Sequence, residues 1–258
     1  MNVTVCQLSD DPQRLERDWQ RLVEHVRVEG SDLVLLPEMP FYPWLARSAE
    51  LDLETWNAAV QAHARWQEER FPELAPAVVL GSSLVTRGGR RLNEGFVWTA
   101  EHGARPAHAK RYLPDEEGFY EASWYQRGDA TFTPVEVGKL KIGFLICSEL
   151  WFGEHARAYG KAGAHLLVCP RATPASSADK WVAGGRAAAV VSGAYCLSSN
   201  RGGRDSHGTA WAGMGWVVEP EEGDVLALTS EAQPFATVEI DPTVADQAKR
   251  TYPRYIQV

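Results

Sequence analysis

The run of apolar residues at positions 33–36 constrains the fold most, because a strand without polar alternation is buried on both of its faces. Residues 2–7 have the pattern of a first strand, and residues 11–29 between the two runs carry apolar side chains at helical spacing. A helix that connects two buried strands packs on the outer face of their sheet. The opening of the chain therefore predicts an α/β fold.

The rest of the chain adds many strands and few helices. Helical spacing predicts further helices at 49–70, 153–160 and 178–191. Apolar or β-branched runs predict strands at 77–81, 84–86, 95–99, 107–111, 131–137, 140–146, 165–169, 194–199, 209–218, 225–228 and 235–240, followed by a polar tail. About a dozen strands with four or so helices fit two sheets packed face to face with helices outside. No linker-like stretch divides the sequence, so we expect one domain over residues 1–258.

The charge, the length of the apolar runs and the spacing of the cysteines argue against several classes of protein. The net charge of -8 and the pI near 5.4 argue against nucleic acid as a partner. No apolar run approaches the ~18 residues of a membrane span, and the first residues lack a signal-peptide pattern. The four cysteines, Cys6, Cys147, Cys169 and Cys196, are irregularly spaced and form no CxxC pair, which indicates neither a zinc knuckle nor a disulfide framework. We predict no metal site and no cofactor. A cytoplasmic protein is the simplest interpretation.

Three reactive residues stand at predicted strand ends. Glu38 follows the buried strand between two prolines that fix the backbone, as a general base requires, and a solvated loop charge is the alternative. Lys110 lies near the end of a strand, where it stabilises an oxyanion or extends into water from a sheet edge. Cys147 precedes a predicted helix N-terminus, where a thiol is exposed and its pKa is lowered. A buried structural cysteine is the alternative there.

The sequence around these residues resembles a known catalytic set. Glu38 in LLPEMP, Lys110 in AKRYLP and Cys147 in GFLICSELWF are similar in order and context to the Glu-Lys-Cys triad of the nitrilase superfamily of carbon-nitrogen hydrolases. The resemblance covers nearly the whole chain and includes residues 163–170, 199–202 and 213–220. It implies a four-layer α-β-β-α sandwich of the nitrilase type, a hydrolase of small amides, and a homodimer or larger homo-oligomer.

The same resemblance implies a role for each residue. Cys147 would be the nucleophile that forms a thioester, and Glu38 the general base. Lys110 and the backbone N–H of Ser148 would stabilise the oxyanion. Many members have Asp two residues after the cysteine, where this chain has Glu149.

A second glutamate after the lysine is a further feature of the superfamily. Glu121, in a Gly-Phe-Tyr-Glu context, fits it as the residue that positions the substrate or the water, and Glu117 is the alternative. On the substrate side, Tyr42 and Trp151 belong to aromatic groups that predict an apolar pocket, with core or interface packing as the alternative. Arg171 either binds a substrate carboxylate or faces solvent.

Three alternatives to an amidase stay open. A nitrilase and an N-carbamoyl amine hydrolase would use the same triad. The resemblance favours an amide, because nitrile-cleaving members of the superfamily tend to be longer than this chain. The third is a non-catalytic scaffold with a relict site. His108, His155 and His207 are isolated in the sequence, and we assign them no catalytic role.

Overall fold

The computed structural model describes residues 1–256, and its elements follow the predicted alternation of strands and helices. The strands are β1 (Asn2–Ser9), β2 (Leu33–Glu38), β3 (Val78–Arg87), β4 (Arg90–Thr99), β5 (Gly103–Ala109), β6 (Val135–Val137), β7 (Leu140–Phe144), β8 (Leu166–Arg171), β9 (Tyr195–Gly202), β10 (Trp216–Val218), β11 (Val225–Leu228) and β12 (Phe235–Glu239). The helices are α1 (Pro12–Glu29), α2 (Leu53–Glu69), α3 (Glu121–Trp124), α4 (Gly153–Lys161), α5 (Ala178–Ser192) and α6 (Pro242–Ala248).

α1 shows how the sequence encodes an element. Asp11 caps the first turn by accepting a hydrogen bond from the backbone nitrogen of Arg14 at 2.9 Å. Gly30 ends the helix in the left-handed conformation, at φ 59°. Trp19 and Leu22 are fully buried on the inner side of the helix, which therefore packs on the sheet along one face.

Two sheets meet along β1 and β9. The first sheet has the strand order β5-β4-β3-β2-β1, with β12 antiparallel to β1. The second has the order β9-β8-β7-β6, with β10 and β11 beside β9. The end of β1, residues 7–9, pairs with residues 200–202 of β9 and joins the sheets. Because β1, β2 and β3 are parallel, as are β7, β8 and β9, the carboxyl ends of these strands are available to build one site.

Apolar clusters separate four layers. Val3 and Leu35 of the first sheet contact Phe144 and Val168 of the second in one buried cluster. A second cluster contains outward side chains of β1 and β2 with those of α1, and a third contains side chains of β8 and β9 with those of α4 and α5. The α-β-β-α sandwich predicted from the sequence is therefore confirmed.

Some predicted elements need correction. The strands predicted at 77–81 and 84–86 are one strand, β3, which turns at Gly88 and Gly89 into β4. Of the strand pair predicted at 209–218, only β10 forms, because Gly213 and Met214 have positive φ and interrupt the extended backbone. The tail predicted to be polar contains α6, whose first turn Asp241 caps.

No helix within residues 1–256 is long and apolar enough to cross a membrane.

Candidate active site

Glu38 is held at the carboxyl end of β2 by a buried arginine of β9. The next residue, Met39, has φ 45°, a conformation that residues other than glycine rarely adopt. Arg201 donates hydrogen bonds to the carbonyl of Glu38 at 3.2 Å and to that of Met39, and it forms a buried ion pair with Asp10. Since Glu38 is fully buried, the solvated-charge alternative is wrong.

Lys110 follows β5 and lies between two buried carboxylates. Its Nζ is 2.8 Å from Oε1 of Glu38, and 2.9 and 2.7 Å from the two carboxylate oxygens of Glu121. At most 1% of any of these three side chains is exposed, so Lys110 does not extend into water from a sheet edge. Glu117 is exposed, and Glu121 is the glutamate that contacts the lysine.

Burial and the charges within this cluster determine the protonation states of Lys110 and Glu121. Burial alone would lower the pKa of Lys110, but the carboxylates of Glu121 and Glu38 outweigh burial and raise that pKa above its ordinary value. Lys110 is therefore an ammonium at neutral pH. Burial raises the pKa of Glu121 to about 7, although the charge of Lys110 opposes the shift. One carboxyl group of the cluster, that of Glu121, therefore titrates near neutrality.

Asn93 of β4 contributes to a difference in hydrogen bonding between the two carboxylate oxygens of Glu38. Its Nδ2 donates to Oε1 of Glu38 at 2.8 Å, the same oxygen that Lys110 contacts, and its backbone carbonyl accepts the backbone N–H of Lys110 at 2.8 Å. Within residues 1–256, Oε2 of Glu38 has no hydrogen-bond partner. One oxygen is therefore saturated by donors, and the other is available to accept a proton.

Cys147 lies just beyond β7, at the start of a 3₁₀ turn over Cys147–Trp151. Its φ is 49°, so both Cys147 and the residue after Glu38 have backbone conformations that cost about 1–3 kcal/mol and are typical of functional sites. The side chain is nearly buried, with 5% of the residue exposed. Burial, followed by the charge of Glu38, raises the pKa of the Cys147 thiol well above its ordinary value, while Lys110 lowers it.

The predicted exposed thiol of lowered pKa is therefore wrong. α4 begins only at Gly153, and Cys147 belongs to a separate short 3₁₀ turn with no side-chain cap. Desolvation disfavours the thiolate more than the neighbouring ammonium of Lys110 favours it. The sulfur is consequently a thiol at neutral pH and needs a base to remove its proton.

The four residues predicted to bind substrate lie in different environments. Ser148 donates from Oγ to the carbonyl of Tyr112 at 2.5 Å. Trp151 is 42% exposed, and its ring centroid is 5.0 Å from that of Trp181. Tyr42 is half-buried and lines a cavity of about 860 Å³ between α1 and α2, a cavity whose lining does not include Cys147. The contribution of these residues to substrate binding stays a prediction.

Arg171, the fourth, is fully buried at the end of β8, so the solvent-facing alternative is wrong. Its three guanidinium nitrogens donate to Ser198 at 2.7 Å, Thr173 at 2.8 Å and the carbonyl of Met214 at 2.7 Å. The guanidinium also stacks 4.0 Å from the ring centroid of Trp216. Every guanidinium nitrogen of Arg171 therefore already has a protein partner. A role of Arg171 in binding a substrate carboxylate stays a prediction.

Three residues near the site have roles that their sequence context did not predict. Asn93 lies in a strand that was predicted to begin only at residue 95, and Arg201 was noted within Ser-Asn-Arg-Gly without a role. His108, which is isolated in the sequence and was assigned no role, has its ring buried against Glu149, with Nε2 2.9 Å from Oε2. A charged residue in a buried strand, such as Arg201 in β9, indicates a buried polar contact and could have been recognised from the sequence.

Among residues 1–256, no group of three or more His, Cys, Asp or Glu side chains is arranged to hold a metal ion. All four cysteines are buried and unpaired.

Known proteins resemble this chain over almost its whole length. The model of the carbon-nitrogen hydrolase family matches residues 2–250. The chloroplastic omega-amidase of Arabidopsis thaliana is 29% identical over 265 residues, covering 98% of this chain and 70% of the relative. The carbon-nitrogen hydrolase from Helicobacter pylori G27 superposes with a TM-score of 0.86 at 22% identity, over 98% of this chain and 94% of that one.

A further structure is a mutant of the amidase from Nesterenkonia sp. AN1, which carries acrylamide added at its active-site cysteine. It superposes with a TM-score of 0.76 at 19% identity, over 95% of each chain. At these identities, the two structures establish the shared fold.

Proposed function

We propose that this chain, which belongs to the carbon-nitrogen hydrolase family, is an amidase-like enzyme that hydrolyses a small amide to ammonia and a carboxylic acid. Cys147 is the nucleophile, Glu38 the general base, and Lys110 the cation that stabilises the oxyanion. The amidases among the similar proteins support an amide as the substrate, and the acrylamide adduct in the Nesterenkonia enzyme supports a reactive cysteine.

The first half-reaction makes a thioester. Oε2 of Glu38 takes the thiol proton while Sγ of Cys147 attacks the carbonyl carbon, and the carbonyl π-electrons move onto oxygen. The ammonium of Lys110 and the backbone N–H of Ser148 stabilise that oxyanion. As the oxyanion collapses, the C–N bond breaks, Glu38 returns its proton to the leaving nitrogen, and ammonia departs.

The second half-reaction releases the acid. Glu38 removes a proton from water, the hydroxide attacks the thioester carbon, and the C–S bond breaks with return of the proton to the sulfur. Glu121 positions the substrate or this water through its contact with Lys110. Splitting one difficult hydrolysis into two easier steps is the reason for a covalent nucleophile.

One observation carries the proposal, the unequal hydrogen bonding of Glu38. Oε1 receives both Lys110 and Asn93, whereas Oε2 has no partner within the described chain. A carboxylate that only paired with the lysine would have no reason to keep one buried oxygen unbonded, because such an atom costs about 1–3 kcal/mol. A thiol that is protonated at rest requires a neighbouring proton acceptor of this kind.

A substrate panel tests the reaction class. Small amides, nitriles and N-carbamoyl amines are each incubated with the protein, and ammonia release is measured. We expect release from amides. Activity on nitriles alone, or on N-carbamoyl amines alone, would replace the amidase with one of those two hydrolases.

Intact-mass analysis of trapped intermediates tests the nucleophile. We expect an acyl adduct on the wild type that is lost in Cys147→Ala and kept in Cys196→Ala, a matched control because Cys196 is also a buried, unpaired thiol. If no substrate of the panel leaves an adduct or is turned over, the protein is a non-catalytic scaffold.

Family membership also underlies our proposal that the chain forms a homodimer or larger homo-oligomer, which sedimentation equilibrium would test. The four unpaired thiols support a reducing, cytoplasmic setting.

A further inference from the structure

We propose that Glu149 and His108 form a positioning pair that sets the placement of Lys110 relative to Cys147. This inference rests on the proposed function, since it assumes that Lys110 and Cys147 act together on the substrate. The two side chains are 0% and 2% exposed, so they act through the groups that they hold.

The carboxylate of Glu149 bonds to the backbone beside both reactive residues. Oε1 accepts the N–H of Arg111, the residue after Lys110, at 2.7 Å. Oε2 accepts the N–H of Ile146, the residue before Cys147, at 2.8 Å. A single buried carboxylate therefore bridges the lysine segment and the cysteine turn.

His108 fixes the orientation of that carboxylate. Its Nε2 lies 3.0 and 2.9 Å from the two oxygens of Glu149, and its ring packs 4.7 Å from the ring of Phe132, measured between centroids. Because His108 is two residues before Lys110, the lysine segment contacts the carboxylate on both sides of the lysine. Rotation of the carboxylate would break contacts to both segments at once.

The other hydrogen bonds of these segments do not replace the bridge. The backbone of Lys110 is bonded to the carbonyl of Asn93 and to the N–H of Gly128, which tie it to its own sheet and loop. A second link from the cysteine turn, from Ser148 Oγ to the carbonyl of Tyr112, lies in a part-buried position. The Glu149 bridge is the buried link that contacts residues directly adjacent to both Lys110 and Cys147.

The substitution Glu149→Gln tests the bridge with little change in volume. Whichever way the amide turns, its NH₂ group replaces an oxygen that now accepts a backbone N–H, from either Arg111 or Ile146. One segment is then released, and a displacement of about 1 Å at a reacting group costs on the order of 10²-fold in rate. Glu149→Asp keeps the charge but shortens the reach, so we expect an intermediate loss.

Alkylation of Cys147 gives a readout that does not depend on turnover. The second-order rate with iodoacetamide, followed by peptide mass mapping well below the Tm of each variant, reports the thiolate fraction, which the ammonium of Lys110 increases. We expect Glu149→Gln to slow it at least ~10-fold, which corresponds to about one pKa unit of the thiol. The exposed carboxylate Glu154 supplies the control, Glu154→Gln, for which we expect no change.

A double-mutant cycle separates positioning from general loosening of the fold. In a Lys110→Gln background, Glu149→Gln should slow alkylation little further, because the cation that it places is already gone. If the two losses are fully additive, or if Glu149→Gln reacts as fast as Glu154→Gln, the positioning proposal is overturned. If Glu149→Gln does not fold, His108→Phe takes its place in the cycle, because it keeps an aromatic ring at position 108 and leaves the carboxylate of Glu149 unchanged. If wild type and Lys110→Gln react equally fast, the proposed function itself fails.

Discussion

Asn93→Ala isolates the hydrogen bond that makes the two oxygens of Glu38 unequal. The substitution removes one of two donors on Oε1 and leaves the backbone bond between Asn93 and Lys110 intact. A hydrogen bond to a charged group contributes about 1.5–3 kcal/mol. If the whole contribution serves to orient Oε2 towards the thiol, kcat/KM falls about 10- to 150-fold, because 1.36 kcal/mol corresponds to a factor of ten.

Stability should change much less than activity. Within residues 1–256, Oδ1 of Asn93 is a buried oxygen without a hydrogen-bond partner, and the alanine variant removes that unfavourable atom together with the favourable bond. The two effects on the free energy of unfolding have opposite signs and similar size. A merely structural asparagine would show the reverse pattern, with a lowered Tm and near-normal turnover.

The assay compares kcat/KM for ammonia release with Tm from thermal unfolding. Asn57→Ala is the control, since Asn57 is exposed on α2, and we expect both quantities to match the wild type. A kcat/KM for Asn93→Ala within twofold of the wild type would refute the reasoning. It would mean that Lys110 alone orients Glu38.

Three further substitutions, the last of them paired with a control, test other parts of the structure. Burial raises the pKa of Glu121 from 4.5 to about 7, so its contribution to stability is full below pH 4.5 and is lost as pH rises through 7. In Glu121→Gln, the dependence of Tm on pH across that window should therefore be weaker than in the wild type. Arg171→Met removes three buried hydrogen bonds, to Ser198, Thr173 and the carbonyl of Met214, and should lower the free energy of unfolding by roughly 3 kcal/mol in urea titrations. An unchanged midpoint would contradict this. Gly143→Ala places a Cβ 2.6 Å from the ring of Tyr159 and should lower the free energy of unfolding by about 1–3 kcal/mol in the same titration. Gly153→Ala is the control, because its Cβ meets open space, and its free energy of unfolding should stay within about 0.5 kcal/mol of the wild type.

The layers of the fold were predictable because hydrophobic period and strand length are local properties of the sequence. Residues 33–36 form a strand buried on both faces, and residues 11–29 form an amphipathic helix, as their patterns indicate. Residues 209–215 have apolar and β-branched side chains but do not form a strand, since positive φ at Gly213 and Met214 depends on contacts with distant residues. One such contact is the hydrogen bond from Arg171 to the carbonyl of Met214.

The candidate site was predictable only to the level of residue types at strand ends. The position of Lys110 between Glu38 and Glu121 depends on contacts across 72 and 11 residues, which no local pattern encodes. The protonation of Cys147 was predicted with the wrong sign because the sequence shows a nearby helix start but not the depth of burial. Desolvation is a property of the assembled layers, and at Cys147 it outweighs the opposing charge of Lys110.

A thiol protonated at rest is consistent with the net charge of the buried cluster. A preformed thiolate at Cys147 would add a negative charge beside Glu38 and Glu121, opposed by the ammonium of Lys110, in a site where desolvation makes unpaired charge costly. When the proton moves to Oε2 of Glu38 as the sulfur attacks, the negative charge passes from the carboxylate to the substrate oxygen and the total charge of the cluster stays constant. Lys110 can then stabilise the carboxylate before the attack and the oxyanion after it, which explains why one lysine serves a site that contains two glutamates.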